Sequence, residues 1–201
     1  MQMNRSNLIA GGLALTLSLA AAVPAFASGS VSNTVYGQQA TQTYNDIQAN
    51  TPLAQAVGLV TEAGLISPEP DGSFAPTVAA STGVFAQAIV KYLGLGTSGE
   101  TTSQYVSKAK NLGLLSSGAS TRGSMSRLQV ALAIAKALKL TPVTGTLPWG
   151  DSSKIPSADQ GLLLALYQKG YFKGFSNGDF GASSTLNREQ IALVFSRLLG
   201  L

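Results

Sequence analysis

Neither cysteine nor histidine occurs among the 201 residues. Without cysteine no disulfide can hold the fold, so stability must come from burying apolar surface, for which a 45% hydrophobic content is ample. Without histidine the chain lacks the usual general base and the commonest metal ligand. The two absences together exclude Cys/His zinc sites, Cys–His nucleophilic pairs and Ser-His-Asp triads. Charge is scarce as well: only 11% of residues are charged, with a net charge of +4. The high pI of about 9.4 reflects how few groups titrate. No Lys/Arg cluster interleaved with aromatics exists, which argues against nucleic acid; a mild positive excess suits an anionic polymer.

Long apolar runs are missing too, with one exception near the start. Arg5 precedes an apolar stretch, Leu8 to Ala22, followed by Pro24 and the A-x-A sequence Ala25-Phe26-Ala27. This is the pattern of a secretory signal peptide over 1–27, cleaved after Ala27. The run is short for a bilayer span and is broken by Gly11 and Gly12, so no membrane span is expected after cleavage. Residues 28–43 are rich in Ser, Thr, Gln, Gly and Asn without periodicity and read as a flexible leader.

What the chain does have is repetition. Three segments, 44–95, 96–143 and 144–201, each carry an apolar helix-like run, a glycine, a loop and a second apolar run. They close on Tyr92-Leu93-Gly94-Leu95, Ala137-Leu138-Lys139-Leu140 and Leu198-Leu199-Gly200-Leu201. Units of this size cannot bury a core alone and must stack or close on one another. The third closes on the last residue, so the exported chain is expected to be the repeats and little else. Thr51-Pro52 marks one helix start, with an N-cap followed by proline at the first helical position. Gly64, Gly113 and Gly170 mark the ends of the first helix in each unit. Second helices are predicted from about Ser81, Ser126 and Asn187. The fold class is mainly α with little or no β, and three such helix pairs can shut into a ring.

These landmarks resemble the S-layer homology domain, usually built as three repeats. Tyr44-Asn45-Asp46 and Trp149-Gly150-Asp151 are similar to the family's aromatic-x-Asp opening. Asp71-Gly72-Ser73-Phe74 is similar to its Asp-Gly-x-Phe turn, and Asn177-Gly178-Asp179-Phe180 is a looser version. Ser126-Arg127-Leu128-Gln129 and Asn187-Arg188-Glu189-Gln190 resemble its Thr-Arg-Ala-Glu segment. The first unit has Ser81-Thr82-Gly83-Val84 there and lacks the arginine; the second lacks both the opening and the turn, so it is a degenerate copy. The resemblance implies a pseudo-threefold bundle of three helix-loop-helix repeats. It also implies a non-catalytic module at the cell wall or surface, without cofactor. Such a module binds anionic secondary cell-wall polysaccharide, often capped by a pyruvate ketal. The alternative is a structural or adaptor subunit of a surface layer or filament, contacting other S-layer or envelope proteins.

The residues themselves support an anion site. Ser126 with Gln129, and Asn187 with Gln190, have capping-box spacing, which places Arg127 and Arg188 at the first helical position. A helix start offers unpaired N–H groups and partial positive charge, and a guanidinium there makes a carboxylate or phosphate site. The other reading is a solvated arginine beside a helix end. Asp46 and Asp151 are candidates to bond sugar hydroxyls, or else to cap a turn. Trp149, with Tyr44, Tyr171 and Phe172, either packs on a sugar face or belongs to the core. The expected ligand-binding set is thus Arg127, Arg188, Asp46, Asp151, Trp149, Ser126 and Asn187. Ser107-Lys108-Ala109-Lys110 fits the S-x-x-K pattern of serine enzymes, but it lies within a predicted helix and no Lys-Thr-Gly follows.

Overall fold

Helix starts in this chain are dictated by side-chain caps. Thr51, Ser81, Thr101, Ser126 and Asn187 each accept a hydrogen bond from the backbone N–H three residues on. Each satisfies one of the donors a helix leaves orphaned, an effect of about 1 kcal/mol per cap. The computed structural model describes residues 44–201. The expected signal peptide and leader, 1–27 and 28–43, lie outside the described residues. The helices are α1 (Pro52–Glu62), α2 (Thr82–Tyr92), α3 (Thr102–Asn111), α4 (Arg127–Ala137), α5 (Ser157–Gln168) and α6 (Arg188–Leu198). A short 3-10 turn, Ser152–Lys154, precedes α5. Among the described residues the chain is mainly α: three isolated antiparallel bridges occur and no sheet.

The first helix of each segment ends at a glycine with φ of +68° (Gly64), +66° (Gly113) or +75° (Gly170). A Cβ is disfavoured there, so the chain turns out of the helix at these points. The next residue closes the turn: Leu65, Leu114 and Tyr171 donate back to the carbonyls of Val60, Ala109 and Leu166. Three equivalent cations in the last turns of α2, α4 and α6 then tie each second helix to the first. Lys91 donates to the Gly64 carbonyl (2.8 Å), Lys136 to the Gly113 carbonyl (2.8 Å) and Arg197 to the Tyr171 carbonyl (3.4 Å).

Helix packing runs from one segment to the next. α2 packs on α3, α4 on α5, and α6 returns to pack on α1. The second helix of each segment thus covers the first helix of the following one, and the last segment closes onto the first. The interior is apolar, with Phe74, Phe85, Phe172, Phe180 and Phe195 fully buried. These phenylalanines belong to all but the middle segment, whose core is built from aliphatic residues such as Val130 and Ile134 with the single buried aromatic Tyr105. Among the described residues no helix is long and apolar enough to cross a membrane.

Candidate functional site: three inter-segment junctions

Each second helix begins against the loop of the next segment. The first two amides of α6, from Arg188 and Glu189, donate to the Val78 and Pro76 carbonyls at 2.9 and 3.0 Å. Those of α4, from Arg127 and Leu128, donate to Ser184 and Ala182 at 2.8 and 3.0 Å. Those of α2, from Thr82 and Gly83, donate to Gly123 and Thr121 at 2.6 and 2.9 Å. The third amide of each helix is held by its cap, Asn187, Ser126 or Ser81. The expectation that the arginines stand over bare backbone amides is therefore corrected. The neighbouring loop runs antiparallel past each helix start, forming the bridges Ala79–Asn187, Ser126–Thr185 and Ser81–Ser124, and it consumes the donors.

The arginine side chains cross the same junctions. Arg188, 4% exposed, donates from Nε to the Phe74 carbonyl (2.7 Å) and from Nη2 to the Ser67 carbonyl (2.8 Å). Its Nη1 pairs with Glu69 at 3.1 Å, and the guanidinium lies 4.9 Å from the Phe74 ring centroid. Arg127, 5% exposed, makes the corresponding bond from Nη2 to the Lys173 carbonyl (2.7 Å). The aromatic cage around it is larger: Phe175, Phe180 and Phe172 have centroids 4.7, 5.2 and 5.3 Å from its guanidinium carbon. Stacking of this kind on desolvated rings contributes about 2 kcal/mol.

The two arginines differ in one respect. Counting from Gly64 and Gly170, Glu69 and Phe175 occupy the same position. The acid that pairs with Arg188 is a phenylalanine at Arg127. Among the described residues Arg127 has no acidic partner, and its buried Nε has no hydrogen-bond acceptor. Burial, with a smaller contribution from repulsion by Arg197, lowers the Arg127 guanidinium to about 10. It remains cationic at neutral pH. Burial also lowers Arg188, but the Glu69 and Asp46 carboxylates oppose the shift.

The two aspartates are built identically. Asp46 accepts from the amides of Phe74 (3.0 Å) and Ala75 (2.6 Å), and Asp151 from those of Phe180 (2.7 Å) and Gly181 (2.9 Å). Burial raises Asp151, but the two amide bonds outweigh it and hold the carboxyl below its ordinary value. These acids fix the turns that carry the phenylalanines stacked on the arginines. Trp149 is buried, packed on Phe180 (4.6 Å between centroids) and on Tyr167 (5.6 Å). Tyr44 and Phe172 are buried and Tyr171 is half-buried. Ser126 and Asn187 spend their side-chain acceptors on the caps of α4 and α6. All seven expected site residues thus gather at two junctions, Asp46 with Arg188 and Asn187, and Asp151 and Trp149 with Arg127 and Ser126.

The third junction was not visible from motifs. Counting back from the caps Ser81, Ser126 and Asn187, the residue aligned with Phe74 and Phe180 is Ala119, and the one aligned with Arg127 and Arg188 is Thr82. Both halves of the arginine–phenylalanine stack are missing there, and a cleft of about 440 Å³ takes their place, lined by Thr82 and Ala119 among others.

The family model for the S-layer homology domain matches residues 43–81 and 150–192. Those stretches contain Asp46 with its Phe74 turn and Asp151 with its Phe180 turn, the two halves built alike. The middle segment lies outside both matches. No curated protein sequence matches the chain significantly. S-layer homology domains are non-catalytic cell-surface modules that anchor by binding cell-wall polymers, and two stretches of this chain are similar to them.

Proposed function

We propose that the protein is a secreted, non-catalytic anchor that binds an anionic, pyruvylated secondary polysaccharide of the cell wall. The general role rests on the two matched stretches. The anionic chemistry rests on one observation: Arg127 is a buried cation with no acidic partner among the described residues and with an idle Nε. At the equivalent junction Glu69 supplies a carboxylate to Arg188. A sugar acid held by Arg127 would supply the missing one, with half-buried Phe175 against the sugar's apolar face. Arg188 would bind only when Glu69 gives way. Asp46, Asp151, Trp149, Ser126 and Asn187 act by holding the junctions in shape. The three segments are read as three copies of one repeat, the middle one degenerate.

The test is co-sedimentation with purified wall sacculi, before and after extraction of the secondary polymer. Binding should vanish on extraction and fall strongly in Arg127→Gln. Glu69→Gln, which frees Arg188, should keep or strengthen it. Binding that survives extraction unchanged defeats the glycan reading and directs attention to envelope proteins as partners.

A further inference from the structure

The turns ahead of Phe74 and Phe180 share one backbone. In the first, the Glu69 amide donates to the Ser73 carbonyl (2.8 Å) and the Gly72 amide to the Glu69 carbonyl (2.9 Å). In the other, Phe175 donates to Asp179 (2.7 Å) and Gly178 to Phe175 (3.0 Å). Gly72 and Gly178 have φ of +81° and +85°. The middle segment has no counterpart, because its loop from Gly113 to Ser126 is four residues shorter than those from Gly64 to Ser81 and from Gly170 to Asn187. The side chains ahead of the two glycines differ in a paired way. Asp71 accepts from the Ser73 amide and hydroxyl, at 2.9 and 2.7 Å. Asn177 accepts from the Asp179 amide and donates from Nδ2 to the Asp179 carboxylate, both at 3.1 Å. Acid meets hydroxyl in one turn, and amide meets acid in the other.

Asn177-Gly178 is also the only Asn-Gly pair in the chain, and both residues are exposed. The bond from the Asp179 amide folds the Asn177 side chain back over the Gly178 peptide unit and draws electron density from its carbonyl carbon. Glycine has no side chain to shield its nitrogen. When the exposed turn opens, the Gly178 amide leaves the Phe175 carbonyl, gives its proton to solvent base and attacks Asn177 Cγ. The N–Cγ bond forms, the Cγ–Nδ2 bond breaks, and ammonia departs carrying that proton, which leaves a five-membered succinimide. Water then opens either imide C–N bond, giving aspartate or isoaspartate at 177. Water is the one co-reactant. Asp71-Gly72 resists the same ring closure at neutral pH. The Ser73 hydroxyl and amide hold the Asp71 carboxyl below its ordinary value, and an ionised carboxylate is a poor electrophile.

We propose that Asn177 is a self-modifying site whose conversion to aspartate or isoaspartate loosens the turn that cages Arg127. The new carboxylate faces Asp179 where an N–H had donated. The turn carries Phe175 and Phe180, both stacked on Arg127, and its Gly178 carbonyl accepts from the Gly150 amide (3.1 Å), next to Trp149. The modification stands on the turn's own geometry; only its effect on wall binding rests on the anchoring reading above.

The test ages the whole chain in warm, mildly alkaline buffer and follows the tryptic peptide Gly174–Arg188 by mass spectrometry with fragmentation. Asn177 should convert at least about tenfold faster than Asn187 in the same peptide, a barrier difference of about 1.4 kcal/mol. Asn177→Gln, which cannot close the five-membered ring, should stay intact. Asn177→Asp, the product itself, should lower Tm by about 1–3 °C. It should also shift the emission of Trp149, packed 4.6 Å from Phe180, to longer wavelength. N177D/D179S, which copies the Asp71–Ser73 pair, should recover both. An Asn177 no faster than Asn187 would overturn the proposal, as would Asn177→Asp matching wild type in Tm and emission. In sedimentation with sacculi, aged wild type should bind several-fold less than fresh, and aged Asn177→Gln should bind as before. A fresh chain that never sediments overturns the anchor alone, and the mass, Tm and emission readouts still decide the modification.

Discussion

The guanidinium of Arg188 stacks on Phe74 at 4.9 Å and donates to that residue's own carbonyl, a contact spanning 114 positions. One side chain thereby joins the last segment to the first. It satisfies the Ser67 and Phe74 carbonyls and neutralises Glu69.

Removing it should open the ring at that seam. Arg188→Ala leaves two carbonyls without donors and a gap beside Phe74, which together cost about 2–4 kcal/mol. Arg188→Lys keeps the charge but cannot fork to two carbonyls, so it should fall between. Glu69→Gln should cost under ~1 kcal/mol, because that carboxylate is only half-buried and its charge is partly screened by solvent. Urea unfolding curves check the order. A midpoint for Arg188→Ala equal to wild type would show that the seam is held by helix packing alone.

Asp151 gives a pH signature. Its folded carboxyl lies below its ordinary value because the Phe180 and Gly181 amides donate to it. The stabilisation is therefore complete above the unfolded pKa of about 3.9 and is lost as the pH falls through the lower folded value. Asp151→Asn should be less stable than wild type at neutral pH, and the difference should shrink below about pH 4. Thermal unfolding of both proteins across that range measures it; a constant gap would mean that the carboxylate's charge is irrelevant to the turn.

Local signals in the sequence carried most of the fold. Thr51-Pro52, the three helix-stop glycines and the capping boxes at Ser126 and Asn187 mark helix ends close to where they lie, because caps and stops act within a few residues. The destinations of Arg127 and Arg188 were not legible. Their partners come from loops of a different segment, and nothing at the helix start announces that its amides are already taken. Asp46 and Asp151 proved to be turn acids, a reading the motif left open. The pairing of Thr82 with Ala119 appears only once the loops are aligned from their caps and the length difference is absorbed, which requires knowing which loop meets which helix.

Lys139 marks another place where the middle segment departs. After α2 and α6 the chain leaves the helix through Gly94 and Gly200, at φ of +70° and +100°; after α4 the same role falls to Lys139, at φ +52°. A side chain in this region costs roughly 1–2 kcal/mol, partly offset because glycine loses more freedom on folding. Lys139→Gly should therefore stabilise the protein by about 0.5–1 kcal/mol, a rise of about 1–4 °C in Tm. Lys139→Ala should not, since it keeps the Cβ. Equal melting points for the two variants would refute the conformational argument.

Gly174 tests the packing beside Asp151 without any backbone strain, since its φ is not positive. A Cβ there would lie 2.5 Å from Trp149 Cδ1, 2.6 Å from Nε1 and 2.9 Å from the Asp179 carbonyl oxygen. The indole cannot retreat freely, being packed against Phe180 and Tyr167. Gly174→Ala should cost about 1–3 kcal/mol by overpacking. Trp149 is the chain's only tryptophan, so its emission reports the displacement directly and should shift to longer wavelength as the ring gains solvent. Gly118→Ala is the matched control: nothing lies within 4 Å of its Cβ and its φ is not positive, so it should be neutral or slightly stabilising. Gly174→Ala with unchanged emission and stability would mean that the indole has room to move, and that the aromatic packing around Phe180 is looser than its centroid distances imply.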